Sequence, residues 1–207
     1  MVIMTGRLPN LNSIHLVESS VDSIAAQPTQ NGSIWTIGHS TRSIEAFIEL
    51  LDLNSIGLLI DVRRFAGSKK YPQFNRDSLS ASLEWVGIEY EHWPVLGGRR
   101  RPKADSPNQV WENDSFRGYA DYMETPDFQA AMQKLMARAR RSRTAIMCSE
   151  AVWWRCHRSM ISDYLMNQGI PIFHILDKSA PTLHPFTKPY LAAHGSGPTD
   201  REFLYHP

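Results

Sequence analysis

Apolar positions along this chain switch between short continuous runs and helical spacing, and the switches predict its elements. Positions 34–37 form a β-rich run that stops at Gly38-His39-Ser40. Ile44, Phe47, Ile48 and Leu51 then recur at i, i+3, i+4 and i+7, one buried helix face. Positions 57–62 are a continuous apolar run ending in Asp61-Val62-Arg63, the pattern of a strand covered on both faces. Leu79, Leu83 and Val86 predict a second helix, with Gly87 as its stop. Positions 88–93 read as a third strand. A long loop, 94–115, follows, and loops of that length inside a domain are functional or disordered. Positions 116–123 predict a short helix. Thr125-Pro126 opens a longer one, with Phe128, Met132, Leu135 and Met136 facing inward. Positions 144–148 are a fourth strand. Positions 156–168 are a helix carrying Met160, Ile161, Tyr164 and Leu165, closed by Gly169, and 171–176 are a fifth strand.

Strands alternating with helices imply an α/β fold: a mainly parallel central sheet of about five strands with helices on both faces. The expected organisation is a poorly ordered lead-in over 1–32, one α/β domain over 33–177, and an irregular tail over 178–207, with prolines at 181, 185, 189 and 198. In such sheets ligands bind beyond the carboxyl ends of the strands. His39 follows the first strand, Asp61 and Arg63 end the second, Gly97-Gly98 follow the third, and Cys148 and Glu150 end the fourth. All these clusters therefore fall at one crevice, which is the main warrant for an active site.

Composition narrows the classes. The 207 residues are 42% hydrophobic, enough for a real core. Lys+Arg 22 against Asp+Glu 21 gives a net +1, so no global field draws the chain to nucleic acid or membrane. Arg outnumbers Lys, which suits planar recognition of phosphate or carboxylate. Two cysteines are too few for a disulfide scaffold, so a reducing, cytoplasmic setting is expected. No apolar run is long enough to span a bilayer, and no secretory leader is read at the start. No cofactor is expected, and the oligomeric state is left open.

The densest chemistry lies between Thr144 and Leu165. Both cysteines, Cys148 and Cys156, are there, with Glu150, His157, Arg155 and Arg158. Cys148 reads as a nucleophile or as a small core residue. Cys156 marks the helix start, where free N–H groups bind anions, or is merely close to the cap. His157 and Arg158 in a first helical turn oppose the dipole, which suggests an anionic partner; the bland reading is two exposed polar side chains. Glu150 is a proton carrier or a structural partner of Arg155 or Arg158. His39 is a base, a metal ligand or a hydrogen-bonded loop residue. Asp61 caps a loop, holds Arg63 or orients His39. Trp153 and Trp154 stack on a ring or pack over the sheet edge, the second being favoured. The basic loop 97–103 contacts phosphate or is a solvated charge run. Arg138, Arg140, Arg141 and Arg143 complement a helix C-terminus and read as structural. Cysteines eight apart have poor zinc spacing, although His39, Cys148, Cys156 and His157 could converge in space.

Three segments, Thr36-Ile37-Gly38-His39-Ser40, Leu59-Ile60-Asp61-Val62-Arg63, and Cys148-Ser149-Glu150 with Cys156-His157-Arg158, together resemble the uncharacterised prokaryotic family known as domain of unknown function 488. Gly97-Gly98 and Gly118-Tyr119-Ala120-Asp121-Tyr122-Met123 fit it too. Val152-Trp153-Trp154 stands where that family often has a proline. The resemblance implies a fold and no activity. A weaker analogy is to rhodanese-like sulfurtransferases, which share a buried strand ending Asp-Val-Arg and a cysteine after a central strand. Here the loop from Cys148 to Arg158 is longer and the second cysteine is extra, so the analogy is one of convergent geometry.

The expected function is a cysteine-dependent enzyme. Cys148 is its expected nucleophile, and Glu150, His157, His39 and Asp61 are its catalytic companions. Arg63, Arg155, Cys156, Arg158, Gly97 and Gly98 are expected to bind a small anionic substrate bearing phosphate, a nucleotide or sulfur. The alternatives are a nucleic-acid-associated protein using loop 97–103 with Trp153 and Trp154, and a metal or redox site built from both thiols.

Overall fold

The computed structural model describes residues 32–195, 197–198 and 203–206. The expected lead-in lies outside the described residues except for Gly32. The sheet has six strands, one more than expected: β1 (Ile34–Gly38), β2 (Leu58–Asp61), β3 (Glu89–His92), β4 (Thr144–Cys148), β5 (Ile172–Ile175) and β6 (Thr182–Leu183). Their order is β3-β2-β4-β1-β5-β6, parallel throughout except for β6, which runs antiparallel to β5. The helices are α1 (Ile44–Leu53), α2 (Arg76–Trp85), α3 (Asp114–Met123), α4 (Pro126–Ala139), α5 (Arg158–Asn167) and α6 (Lys188–His194).

The strands feed two cores with period two, as the pleat requires. Leu58, Ile60, Ile146 and Cys148 point into the core beneath α3, α4 and α5. Leu59, Ala145, Met147, Trp35 and Ile37 point into the core beneath α1 and α2. Local chemistry sets the helix starts. The Ser43 hydroxyl accepts from Ala46 N, Asn113 from Ser115 N, and Thr125, followed by Pro126, from Phe128 N. Gly87, at φ +76°, lets the chain leave α2. Val86 does not belong to that helix's buried face: it is the C-cap residue and is 45% exposed. Arg138 pairs with Glu89 and Glu91 at 2.5 and 2.6 Å, a structural tie between α4 and the edge strand.

The connection after β1 goes to α1 on one face, and the connection after the adjacent β4 goes to α5 on the other. This divergence between neighbouring parallel strands opens a crevice at their carboxyl ends. Gly38 and Cys148 lie opposite each other at its floor.

Residues 178–207, expected to be irregular, contain β6 and α6. A buried chain of side chains ties them to the domain. Thr36 Oγ1 meets His174 Nδ1 at 2.7 Å, His174 Nε2 meets His184 Nδ1 at 2.8 Å, and His184 Nε2 meets Asp163 Oδ1 at 3.0 Å. The carboxylate of Asp163 accepts at the end of this chain, so His184 Nε2 carries the proton there. Asp163 also accepts from Thr187 N, Thr187 Oγ1 and Tyr205 OH. No sequence period marks such a network, so nothing in the pattern announced it.

Burial, then His184 and Arg158, push the His174 pKa down from 6.5 to about 2. The unfolded chain takes up a proton at this residue as the pH falls through 6.5, and the folded chain does not. The stability His174 confers is therefore fully present above pH 6.5 and is lost progressively below it. The slope is about 1.4 kcal/mol per pH unit. Urea unfolding between pH 7 and pH 4.5 should show this component, and His174→Gln should remove it.

Candidate active site

Each strand end contributes to the crevice. His39 N donates to Cys148 O and Ser40 N to Ser149 O, which continues the β1–β4 ladder past the strands. A Cβ on Gly38 would lie 1.7 Å from the Glu150 carbonyl, so only glycine lets the Cys148–Glu150 segment cross there. The crevice holds a cavity of about 640 Å³. His39, Arg63, Arg64, Lys70, Gly98, Arg99, Cys148, Glu150, Arg155, Cys156 and His157 are among its lining residues. His39 and Cys148 thus share one end of the sheet. Asp61, Gly97 and Arg158 do not reach the cavity. They stand behind it.

The two thiols dominate the floor. Their Sγ atoms are 2.8 Å apart and both are free. Glu150 N donates to Cys148 Sγ at 3.3 Å, and Arg158 N donates to Cys156 Sγ at 3.5 Å. Helix α5 begins at Arg158, two residues later than expected, with His157 as an N-cap that makes no side-chain cap bond. The sulfur of Cys156 takes the place of a capping oxygen. The helix terminus expected to bind an external anion therefore already faces the chain's own sulfur. His157 Nδ1 lies 3.4 Å from Cys156 Sγ.

Arg158 lies only 1% exposed, and its Nη2 donates to the Glu150 carbonyl at 2.5 Å. It is not an exposed anion clamp. Burial opposes its charge, but the two cysteine sulfurs beside it raise its pKa. The pair divides its proton unequally. Burial pushes the Cys148 thiol up, and the hydrogen bond to Cys156 and that residue's charge push it further. Burial also works against ionising Cys156. The bond from Cys148, with His157 and Arg158, outweighs it and holds the thiol well below its ordinary value. Of the two, Cys156 is the thiol held low, because the helix terminus and His157 face it while Arg158 stands beside both sulfurs.

A second unit stands opposite. Asp61, fully buried, grips Arg63 through Nε at 2.9 and 3.0 Å and Nη2 at 2.6 Å, and accepts from Tyr90 OH at 2.9 Å. Arg63 Nη1 then donates to His39 Nε2 at 3.2 Å, while His39 Nδ1 donates to the Ser40 carbonyl at 3.0 Å. His39 stacks on Phe74 at 4.3 Å. Burial, then the Arg63 charge, lowers its pKa to about 4. With both ring nitrogens engaged, His39 is a hydrogen-bonded neutral ring that helps to hold Arg63. Asp61 holds Arg63 from behind and touches no cavity.

Loop 94–115 is ordered, and the Gly118–Met123 stretch explains why. Asp121 accepts from Lys103 N at 2.7 Å, Ser106 Oγ at 2.5 Å and Asn108 Nδ2 at 2.9 Å. Tyr119 and Tyr122 donate to the carbonyls of Leu96 and Val95, and Arg100 lies 3.6 Å over the Tyr122 ring. Gly97 passes against the Arg64 backbone and Gly98 against the His157 ring, where a Cβ would come within 2.7 and 2.9 Å. Gly97 is thus a close-packing position, and Gly98 also lines the cavity. A second cavity of about 540 Å³ adjoins the first through Arg64, Phe65 and Arg99 and is lined further by Arg100, Arg101 and Lys103. Phe65 is 66% exposed.

The remaining candidates divide. Arg155 is exposed at the cavity rim and makes no side-chain hydrogen bond or ion pair among the described residues. The Glu150 side chain is exposed, and its main chain makes the contacts to the site. Trp153 stacks on His174 at 4.3 Å and 8°, the packing role expected, while Trp154 is 52% exposed. Among the described residues no group of three or more His, Cys, Asp or Glu is arranged to hold a metal ion. Arg99, from the basic loop 97–103 read as a candidate phosphate contact, lines the cavity, while sequence reasoning missed Arg64 and Lys70. Arg64 was signalled only by its adjacency to the Asp-Val-Arg strand end, and Lys70 by nothing in the pattern.

Removing one partner of a buried ion pair strands the other charge. Asp61→Ala should therefore cost about 3–5 kcal/mol in urea unfolding at pH 7. A loss below ~1 kcal/mol would mean that Arg63 finds solvent instead.

No curated protein and no solved structure matches the chain. Residues 43–165, more than half of it, match the model of the family described as Domain of unknown function DUF488, and the chain belongs to that family.

Proposed function

We propose that the protein is a cysteine-dependent enzyme acting on a small anionic substrate, with Cys156 as the attacking thiolate. The observation that carries the reading is the contact of the two sulfurs at the floor of a cation-lined cavity, with Arg158 buried behind them. A thiolate needs a positive environment and access. Arg158, the Arg158 N–H and His157 supply the first, and the cavity supplies the second. Cys148, the nucleophile expected from sequence, instead donates its S–H to Cys156. Arg63, held rigid by Asp61 and His39, and Arg155 at the rim bind the anionic group. His157, within reach of Cys156 Sγ, moves the proton.

Alkylation tests this reading. Cys156 should react with iodoacetamide at pH 6.5 at a rate a free thiol reaches only above pH 8, while Cys148 lags. Anionic iodoacetate should gain about threefold or more over iodoacetamide relative to a free thiol, and lose that gain in Arg155→Glu and at high salt. Free-thiol pH dependence at both cysteines would overturn the assignment.

A second reading, a nucleic-acid-contacting face, draws on the adjoining cavity, where Arg64, Arg99, Arg101 and Lys103 surround exposed Phe65. It requires single-stranded RNA or DNA to bind with an affinity that falls steeply with salt, and Phe65→Ala to weaken binding by about 1–3 kcal/mol. Fluorescence anisotropy with an oligonucleotide, showing no binding at low salt, would remove it.

A further inference from the structure

Core packing alone gives no reason to press two sulfurs together beside a buried guanidinium. Cys148 and Cys156 lie 2.8 Å apart, closer than thiols that merely pack, and a disulfide at about 2.05 Å needs under ~1 Å of further approach. Both cysteines are among the residues that line the same cavity. Each is also held from outside the pair, Cys148 by Glu150 N and Cys156 by Arg158 N.

We propose that the two cysteines are an attacking and resolving pair that reduces a small anionic disulfide and ends as a Cys148–Cys156 disulfide. The proposal rests on Cys156 being the attacking thiolate and adds the substrate class and the fate of the intermediate.

The steps balance. The Cys156 thiolate attacks one sulfur of R–S–S–R. The substrate S–S bond breaks, one RS⁻ leaves, and a mixed disulfide Cys156–S–S–R forms. The negative charge beside Arg158 has now gone. The Cys156 charge that opposed ionising Cys148 has gone with it, while Arg158 and the Glu150 N–H remain in place. Cys148 gives its proton to the departing thiolate and becomes the thiolate itself. It attacks Cys156 Sγ, the second RS⁻ leaves, and the intramolecular disulfide closes. One disulfide has been reduced to two thiols, and the pair has lost two electrons. A thiol reductant returns the pair to its starting state. One guanidinium thus serves two thiolates in turn, never both at once. The cations Arg63, Arg64, Lys70, Arg99 and Arg155 around the cavity favour carboxylate-bearing R groups and stabilise each leaving thiolate.

The test uses dithiodipropionate, a dianionic disulfide, beside cystamine, a dicationic one of similar size, with intact-mass readout under native conditions. Wild-type protein treated with dithiodipropionate should lose the mass of two hydrogens and carry no adduct. Cys148→Ser should stop at one mercaptopropionate adduct on Cys156. Cys156→Ser should react at least about tenfold more slowly, and cystamine should be slower than dithiodipropionate on the wild type. A stable adduct on the wild type without loss of two hydrogens overturns the proposal, and that measurement needs no variant. Equal rates for the two serine variants overturn it too. If iodoacetamide still reacts rapidly with Cys156 at pH 6.5 in either case, only the resolving role fails. If that reaction is also slow, the assignment of the thiolate fails with it.

Discussion

A guanidinium as buried as that of Arg158 requires negative charge or carbonyl oxygen close by, because a cation removed from water costs several kcal/mol unless it is matched. The Glu150 carbonyl meets part of that need and the cysteine pair meets the rest. This one requirement explains several features that otherwise look unrelated. The chain must cross at Gly38, so that the Glu150 carbonyl can turn toward the guanidinium. The first turn of α5 begins after Cys156, so that the Arg158 N–H reaches the sulfur. The thiols sit close together, since a single cation supports a single shared negative charge.

The second buried cation obeys the same rule by different means. Arg63 has a buried carboxylate as its partner, and the spare geometry of its fork extends to His39 and to the Phe74 carbonyl. Arg158 therefore faces a polarisable pair of sulfurs, whereas Arg63 faces a carboxylate that grips it through both Nε and Nη2. The first arrangement suits chemistry and the second suits positioning. The topology brings them together, because the crevice opens where neighbouring parallel strands send their connections to opposite faces.

Much of this was legible in the residues. The continuous apolar runs at β2 and β4 and the helical spacing in α1 and α4 reflect burial on fixed periods, which a linear pattern records directly. Placing the unusual residues after strand ends also located the crevice, since His39, Arg63, Gly98 and Cys148 do meet there. The division of labour among them was not legible. Whether Asp61 faces a cavity or backs Arg63 depends on side-chain direction at a strand end, where the period-two rule lapses. The acidity of Cys156 over Cys148 depends on which sulfur lies at the start of α5, and a shift of two residues in that start decides it. The His174–His184–Asp163 chain joins residues from β5, the tail and α5, a purely tertiary arrangement. β6 went unseen because two residues carry no period at all.

The matched segment, 43–165, begins after β1 has ended and stops before β5 starts. Yet β1 is bonded to β4 on one side and β5 on the other, five register pairs with the first and four with the second. A polypeptide trimmed to the matched residues would keep β4 with β2 and lose its other neighbour. One edge of a buried parallel strand would then be bare, the kind of edge that pairs with other chains. It would also lose His39, and with it a contact that steadies Arg63. The stretch by which this chain is recognised as kin is therefore shorter than the unit that can close its own sheet.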